Sequence, residues 1–304
     1  METSLKNRNK IFSWVLASRP KTLSAAFTPI FVATTLAISE LRPTEYKVTW
    51  IFSAFALFAA IFIQIGTNLI NDALDFKKGA DNDNRIGPKR VTQSGLLSSK
   101  QVMIGGFLSF FIAILFSFPI VIHAGLPIII IGLISLLFGY LYTGGPYPLA
   151  YVGLGEIFVI LFFGFAAVIG VFYIQTGFIA FAPILAGFQV GLLATVLISI
   201  NNFRDYLGDK IVGKMTLAAR FGKKFARIEI VLLFLLTYLL NFYWIFSGNI
   251  WAGILPFISL PFAIKVMKGI LMNEPSPLFN KYLGISALNQ ILFGILMGIG
   301  FILR

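Results

Sequence analysis

Two short stretches of this chain concentrate aspartate and asparagine at the ends of apolar segments. Their acidic and amide residues at helical spacing are Asn68, Asp72, Asp75, Asn201, Asp205 and Asp209. The spacings i, i+4, i+7 and i, i+4, i+8 place each trio on one face of a helix. Carboxylates beside hydrocarbon are costly without a compensating cation. Oxygen-rich helix faces suit Mg²⁺, which is commonly shared with substrate phosphates. The sequence therefore predicts a magnesium site that takes a diphosphate.

The rest of the chain is too apolar for a water-soluble domain. It has 304 residues, of which 58% are hydrophobic and 12% charged. Because a spanning helix needs roughly 20 apolar residues, the apolar runs predict about nine transmembrane helices. These are expected at residues 22–40, 50–70, 102–121, 126–142, 152–173, 179–200, 226–246, 250–267 and 283–303. The expected fold is an all-α integral membrane bundle that forms a single domain over residues 1–304.

The scarce residue types exclude several kinds of site. The chain has no cysteine and only one histidine, His123. Disulfides, thiolate metal sites and a cysteine nucleophile are therefore excluded. A histidine-based metal site is disfavoured, because only one histidine is available as a ligand. The polar N-terminus is followed by an apolar run that is too short for a signal peptide, so no cleaved leader is expected.

The placement of positive charge predicts the orientation of the bundle. With the N-terminus in the cytoplasm, twenty-one of the 24 Lys and Arg residues fall on the cytoplasmic side, and only Arg42, Lys47 and Arg304 fall outside. This bias follows the positive-inside rule, and it explains the net charge of +12 without a nucleic-acid partner. The C-terminus is then outside. Both aspartate stretches emerge in the cytoplasm, at the ends of the second and sixth spans, and suggest two similar four-helix halves plus one helix.

A basic loop follows each aspartate stretch. Arg85, Lys89 and Arg90 lie beside the first, where cations would stabilise a departing diphosphate. Thr92 and Ser94 could add neutral donors. Lys77 and Lys78 are explained equally well by the positive-inside rule.

Three further segments carry candidate residues. In the second loop Lys214 is a candidate phosphate contact, although the spacing there is not that of a P-loop. Arg19 and Lys21 open the first span, and anchoring cations beside a first-turn proline are the simpler interpretation. Glu156 is taken as the only acidic residue that enters a predicted span from the cytoplasmic side. Such a group is a candidate for orienting an acceptor or handling a proton.

The same segments resemble the UbiA superfamily of intramembrane aromatic prenyltransferases. The match lies in Asn71-Asp-x-x-Asp and Asn201-Asn-x-Arg-Asp, in Arg19-Pro-Lys-Thr-Leu, and in the segment from Tyr142 to Glu156. Within the superfamily the segments are most similar to the branch that prenylates 1,4-dihydroxy-2-naphthoate. One departure is visible, because the broad pattern would place aspartate where Gly79 stands, so that Asp81 or Asp83 would supply that ligand.

The resemblance implies roles for the candidate residues. The implied magnesium ligands are Asp72, Asp75, Asp81, Asp205 and Asp209, with Glu156 as a further catalytic group. The implied substrate-binding residues are Arg19, Lys21, Asn68, Asn71, Arg85, Lys89, Arg90, Thr92, Ser94, Tyr142, Asn201, Asn202, Arg204 and Lys214.

The implied reaction transfers a polyprenyl group from its diphosphate to 1,4-dihydroxy-2-naphthoate, with loss of CO₂ and diphosphate. Another acceptor, such as 4-hydroxybenzoate or homogentisate, is the nearest alternative. A cation-coupled transporter is a remote one, since it would place its polar groups near the bilayer midplane.

Overall fold

The computed structural model describes residues 10–41, 49–81 and 86–303 of the chain. Within these ranges the chain forms α-helices joined by loops, 3₁₀ turns and one π-helix, and no strand. The helices are α1 (Lys10–Ser18), α2 (Ser24–Glu40), α3 (Trp50–Lys77), α4 (Ser99–Ala124), α5 (Leu126–Leu141), α6 (Gly155–Val159), α7 (Ala167–Thr176), α8 (Phe181–Ile211), α9 (Leu217–Leu239), α10 (Asn241–Phe246), α11 (Ile250–Ile254), α12 (Leu260–Met272) and α13 (Phe279–Ile302). The 3₁₀ turns cover Pro20–Thr22 and Leu255–Ser259, and the π-helix covers Ile160–Ala166.

The predicted membrane bundle is confirmed. Seven helical stretches of the described chain are long and apolar enough to cross a bilayer, and α2 and α5 are shorter apolar helices of 17 and 16 residues. Each of these nine segments overlaps one of the nine predicted spans.

The two helices that carry the aspartates extend beyond the predicted apolar spans, as the helical spacing of the aspartates requires. Hydropathy ends the second and sixth spans near residues 70 and 200, whereas α3 continues to Lys77 and α8 to Ile211. Hydropathy marks where hydrocarbon contact ends, but a helix continues as long as its backbone hydrogen bonds do. The aspartates therefore lie within the last turns of long helices, whose backbones hold them rigidly.

The helix pairing supports the predicted pseudo-repeat. The most extensive contacts in the bundle join α3 to α4 and α8 to α9, so that each aspartate-bearing helix packs along the helix that follows it. Helix α4 begins at a capping box between Ser98 and Gln101, and α9 begins where the Thr216 hydroxyl accepts from a backbone N–H. These caps end the two basic loops and fix where each chain segment re-enters the bundle.

Small residues bring α8 against the π-helix. A Cβ at Gly164 would lie 2.5 Å from the carbonyl oxygen of Gly187, and one at Gly191 would lie 3.1 Å from the Gly164 Cα. The backbones therefore touch at a place where no larger residue fits, as small residues allow between membrane helices. This contact fixes the wall formed by α6, the π-helix and α7 relative to α8.

Candidate active site

One cavity of about 320 Å³ runs between α2, α3, α5, α8 and the wall made by α6, the π-helix and α7. One end is polar and the other is apolar. The polar end is lined by eleven residues that the sequence singled out: Arg19, Asn68, Asn71, Asp75, Arg90, Tyr142, Asn201, Asn202, Asp205, Asp209 and Lys214. The structure thus brings both aspartate stretches, the N-terminal arginine and both basic loops to a single chamber.

Helix α3 presents a slightly different face than expected. Asn68, Asn71 and Asp75 line the cavity, but Asp72 does not. At about 100° per residue, Asp72 is rotated away from the centre of the cavity face, which lies between residues 68 and 71. The Asp72 carboxylate instead accepts hydrogen bonds from the Thr92 hydroxyl at 2.5 Å and the Thr92 N–H at 3.4 Å. It fastens the first basic loop to α3, and its role as a magnesium ligand stays a prediction.

Tyr151 connects the two aspartate helices. Its hydroxyl donates to the Asp75 carboxylate at 2.9 Å, and its ring lies 4.4 Å from the Lys78 ammonium and 5.8 Å from that of Lys214. Lys214 in turn lies 3.8 Å from Asp209. Burial and the neighbouring Asp75 charge raise the pKa of the Tyr151 hydroxyl, which therefore stays protonated and remains a donor. The sequence alone did not single out Tyr151, because the position of a tyrosine in a loop does not show its hydrogen-bond partner.

Asp205 is held by its neighbour in the chain. The buried Arg204 guanidinium donates to both Asp205 carboxylate oxygens, at 2.9 and 2.6 Å, and to the side-chain oxygen of Asn280 on α13 at 2.6 Å. Arg204 does not line the cavity, so it acts on the site by positioning Asp205. A Cβ at Gly87 would lie 2.4 Å from this guanidinium, so glycine there lets the first loop close over α8.

Arg19 enters the chamber through an unusual backbone conformation. It has φ 54° and ψ 65°, the left-handed region, which costs a non-glycine residue about 1–3 kcal/mol. The Asn68 amide holds this turn by donating to the Ser18 carbonyl at 3.0 Å and to the Thr22 hydroxyl at 3.2 Å. Asn68 therefore fixes the segment that carries Arg19, besides lining the cavity itself.

Asn71 and Thr143 join α3 to the loop after α5. The Thr143 hydroxyl donates to the Asn71 side-chain oxygen, and the Lys78 ammonium donates to the Thr143 carbonyl at 2.6 Å. Burial lowers the pKa of Lys78, while the Asp75 carboxylate opposes that shift. Lys78 therefore has a structural partner, whereas the sequence left its role open.

Glu156 lies one layer behind the cavity. One of its carboxylate oxygens accepts from the Asn202 amide at 2.7 Å, and Asn202 lines the cavity. The other oxygen is buried without a hydrogen-bond partner among the described residues. The expectation that Glu156 is the only acidic residue in a span was wrong. Glu229 lies in α9, and its carboxylate accepts from the Ser199 hydroxyl at 3.1 Å. Ser199 lies about one helical turn before Asn202 on α8. Glu229 falls within the predicted span 226–246, so the sequence itself already contradicts that expectation.

The other predicted residues are placed as follows. Lys89 is exposed, and the Ser94 hydroxyl donates to the carbonyls of Arg90 and Val91, which tightens the loop. Asp81 is buried and lies 3.9 Å from Arg90. Arg85 and Asp83 lie outside the described residues, as does the side chain of Lys21.

The donor set at the polar end fits a hard cation. Asp75, Asp205 and Asp209 line the same chamber with four asparagines. No three carboxylates in the described ranges form a cage of their own. Mg²⁺ does not need one, because it keeps waters and is commonly bound by one or two carboxylates together with substrate phosphates.

The fold and the chamber define a class, a multi-pass helical membrane protein with its polar site at one end of the bundle. Comparison with known proteins gives the family. Residues 26–283 match the UbiA prenyltransferase family, and the chain belongs to it. The protein is therefore an aromatic prenyltransferase, and the transporter alternative is wrong.

Two relatives and two solved structures illustrate the likeness. The chain is 32% identical to 1,4-dihydroxy-2-naphthoate octaprenyltransferase of Bacillus subtilis over 95% of this chain and 92% of that one. It is 35% identical to the Escherichia coli protein of that name over 71% and 70%. A UbiA homolog from Aeropyrum pernix superposes with a TM-score of 0.68 at 14% identity, covering 92% of this chain and 97% of that one. A homolog from Archaeoglobus fulgidus, bound to DMAPP and Mg²⁺, gives 0.60 at 16% identity, covering 94% and 99%.

The Tyr151 contact generates the first prediction. Tyr151→Phe keeps the ring between the two lysines but removes the hydrogen bond to Asp75. We expect the Mg²⁺ concentration for half-maximal prenyl transfer to rise about tenfold, since hydrogen bonds to charged groups are among the stronger ones. The matched control is Tyr147→Phe, because Tyr147 is 80% exposed. Equal magnesium dependence of the two variants would show that the Tyr151 hydroxyl does not support the site.

Proposed function

We propose that this protein transfers a polyprenyl group from polyprenyl diphosphate to 1,4-dihydroxy-2-naphthoate, with release of CO₂ and diphosphate. The product is a demethylmenaquinone-type quinol. The observation that carries the proposal is a single cavity that joins an oxygen-rich, cation-lined chamber to an apolar space. A polyprenyl diphosphate has the same two parts. The names of the relatives in Bacillus subtilis and Escherichia coli support the acceptor.

The polar chamber binds the diphosphate. Asp75, Asp205 and Asp209 would hold Mg²⁺, which neutralises diphosphate charge and favours its departure. The Archaeoglobus fulgidus homolog of the same fold, which is bound to DMAPP and Mg²⁺, supports this assignment. Arg19 and Lys214 line the same chamber and supply fixed positive charge for the phosphate oxygens. Asp72 and Asp81 support the chamber indirectly. Asp72 holds Thr92 and Asp81 lies beside Arg90, so both stabilise the loop that carries these two residues.

The apolar end binds the isoprenoid. Its walls carry small residues, among them Ala56 and Ala60 on α3 and Gly170 on α7, which leave the lumen open. Isoleucines at positions such as 120 and 174 lie at its far end. Burial of a hydrocarbon chain against such walls supplies binding without hydrogen bonds.

The reaction balances without an external oxidant or reductant. The bond between C1 of the prenyl group and its phosphate oxygen breaks, and its electron pair leaves with diphosphate. The ring carbon that carries the carboxylate forms the new bond to C1. The electrons of the bond to the carboxylate then return to the ring, which releases CO₂ and restores aromaticity. Glu156 supports this step indirectly, because it fixes the Asn202 amide at the chamber wall.

Carboxylate replacement tests the chamber. Asp75→Asn, Asp205→Asn and Asp209→Asn should each lower kcat/KM by about 100-fold or more, since each removes charge at the site of diphosphate departure. Glu274→Gln is the matched control, because that side chain is 64% exposed between α12 and α13. Radiolabelled prenyl transfer in detergent, with folded protein quantified by gel filtration, measures the effect. Activity of all three variants near that of the control would refute the assignment.

Carboxyl-labelled acceptor tests the chemistry. Purified protein with Mg²⁺, octaprenyl diphosphate and 1,4-dihydroxy-2-naphthoate should release one labelled CO₂ for each prenyl group transferred, and the product mass should lack the carboxylate. Label retained in the product would refute this reaction. Parallel assays with 4-hydroxybenzoate and homogentisate identify the acceptor if the naphthoate does not react.

We also propose that the chamber faces the cytoplasm, on the strength of the charge bias. The chain has no native cysteine, so single cysteines report on sidedness without background. Lys77→Cys and Lys210→Cys, at exposed ends of α3 and α8, should react with an impermeant thiol reagent only from the cytoplasmic side. Ser247→Cys, between α10 and α11, should react only from outside. Labelling of residues 77 and 210 from opposite sides would contradict a shared chamber.

A further inference from the structure

The cavity residue Gln64 has no role in the reaction as proposed above. Gln64 lies on the cavity face of α3, in line with Asn71 and Asp75 at i+7 and i+11. It is the fifteenth residue of a 28-residue helix, so it sits near the middle of the span. An amide at this depth faces the lumen where the polar chamber gives way to the apolar space.

The Gln64 amide has no hydrogen bond to any residue that the structure describes. Two other intramembrane glutamines, both outside the cavity lining, are hydrogen bonded. Gln175 bonds to Thr49 and Ser53, and Gln189 bonds to Trp244 among others. An amide that faces an apolar space without a partner is costly. A bound molecule that supplies a hydroxyl would remove that cost.

The two parts of the prenyl donor cannot be this partner. The isoprenoid tail has no hydrogen-bonding atom, and the diphosphate is held at the aspartates. Eleven residues separate Gln64 from Asp75, which is about 16 Å along the helix axis. That distance is close to the combined length of a diphosphate and the aromatic ring that attacks its first carbon. The aromatic acceptor is the remaining substrate of the proposed reaction, and its ring hydroxyls can exchange hydrogen bonds with a neutral amide.

The part of the cavity wall that begins at α5 is aromatic near this depth. A Cβ at Gly139 would lie 2.7 Å from the Thr67 hydroxyl, so this part of α5 is level with the middle of α3. The adjacent Phe138 ring packs against Phe158 and Phe162, with centroids 4.8 and 5.8 Å apart, and all three line the cavity. A cavity that is lined by this aromatic wall and by an amide is suited to a flat ring that carries hydroxyl groups.

We propose that Gln64 binds the aromatic acceptor by hydrogen bonding to one of its ring hydroxyls, with the ring lying against the phenylalanine wall. The proposal rests on the proposed function and adds a residue that selects hydroxylated acceptors. A site built to bond a hydroxyl discriminates strongly against an analogue without it, because the protein group is then left unpaired.

The test compares two identical substitutions. Gln64→Met keeps the length of the side chain and removes its hydrogen bonding. Gln290→Met is the matched control, because Gln290 is fully buried on α13, makes no hydrogen bond within the described residues and does not line the cavity. We expect Gln64→Met to raise the KM for 1,4-dihydroxy-2-naphthoate about tenfold. The KM for octaprenyl diphosphate should stay as in the wild type, and Gln290→Met should change neither constant.

Acceptor analogues separate a lost hydrogen bond from a distorted cavity. We would measure 1-hydroxy-2-naphthoate and 4-hydroxy-2-naphthoate as competing inhibitors of both variants and the wild type. Gln64→Met should bind one analogue as tightly as the wild type does, namely the one that lacks the contacted hydroxyl. Equal weakening of both analogues, or an unchanged acceptor KM, would overturn the proposal.

Failure of the proposed function would look different. If the wild-type protein does not prenylate 1,4-dihydroxy-2-naphthoate but does prenylate another hydroxylated aromatic compound, the acceptor assignment is refuted. The same two variants are then compared with that acceptor, and the same rise in its KM is expected for Gln64→Met alone.

Discussion

Carboxylates at the edge of a bilayer need hydrogen-bond donors and cations around them, because hydrocarbon offers no solvation. Each aspartate of the chamber meets this requirement with its own partner. Asp75 accepts from Tyr151, Asp205 is clamped by Arg204, and Asp209 lies near Lys214. These partners hold the oxygen-rich surface together before any substrate binds, and they fix the directions in which its carboxylates point.

The same contacts couple the two halves of the bundle. A diphosphate shared by α3 and α8 requires a constant separation between them, and three loop contacts set it. Tyr151 bonds to Asp75, and its carbonyl accepts from the Met215 N–H at 3.0 Å. Gly87 lets the first loop close onto Arg204. The loops that the sequence marked as basic are therefore structural ties as well as sources of charge.

Much of this arrangement could be predicted from local patterns. Nine apolar runs gave nine helical segments, and helical spacing correctly placed Asn201, Asp205 and Asp209 on one cavity face. Where the sequence pattern did not predict the site correctly, the missing information concerned tertiary structure. The rotation of α3 about its axis excludes Asp72 from the cavity, and spacing alone cannot fix that rotation. Tyr151 and Gln64 act through partners or cavities far away in sequence, so a single chain without coordinates does not show them.

The position of Gln64 also explains how one cavity serves two chemically different substrates. Diphosphate recognition is concentrated in the last turns of α3 and α8, and hydrocarbon recognition needs only small apolar walls. An aromatic acceptor that enters between them must be recognised by something other than charge. A neutral amide is well suited to this, because it directs a hydroxyl without attracting the diphosphate and without a charge in the middle of the membrane. The order of groups along α3, carboxylate first, then amides, then alanines, thus matches the order of the reacting groups along the cavity.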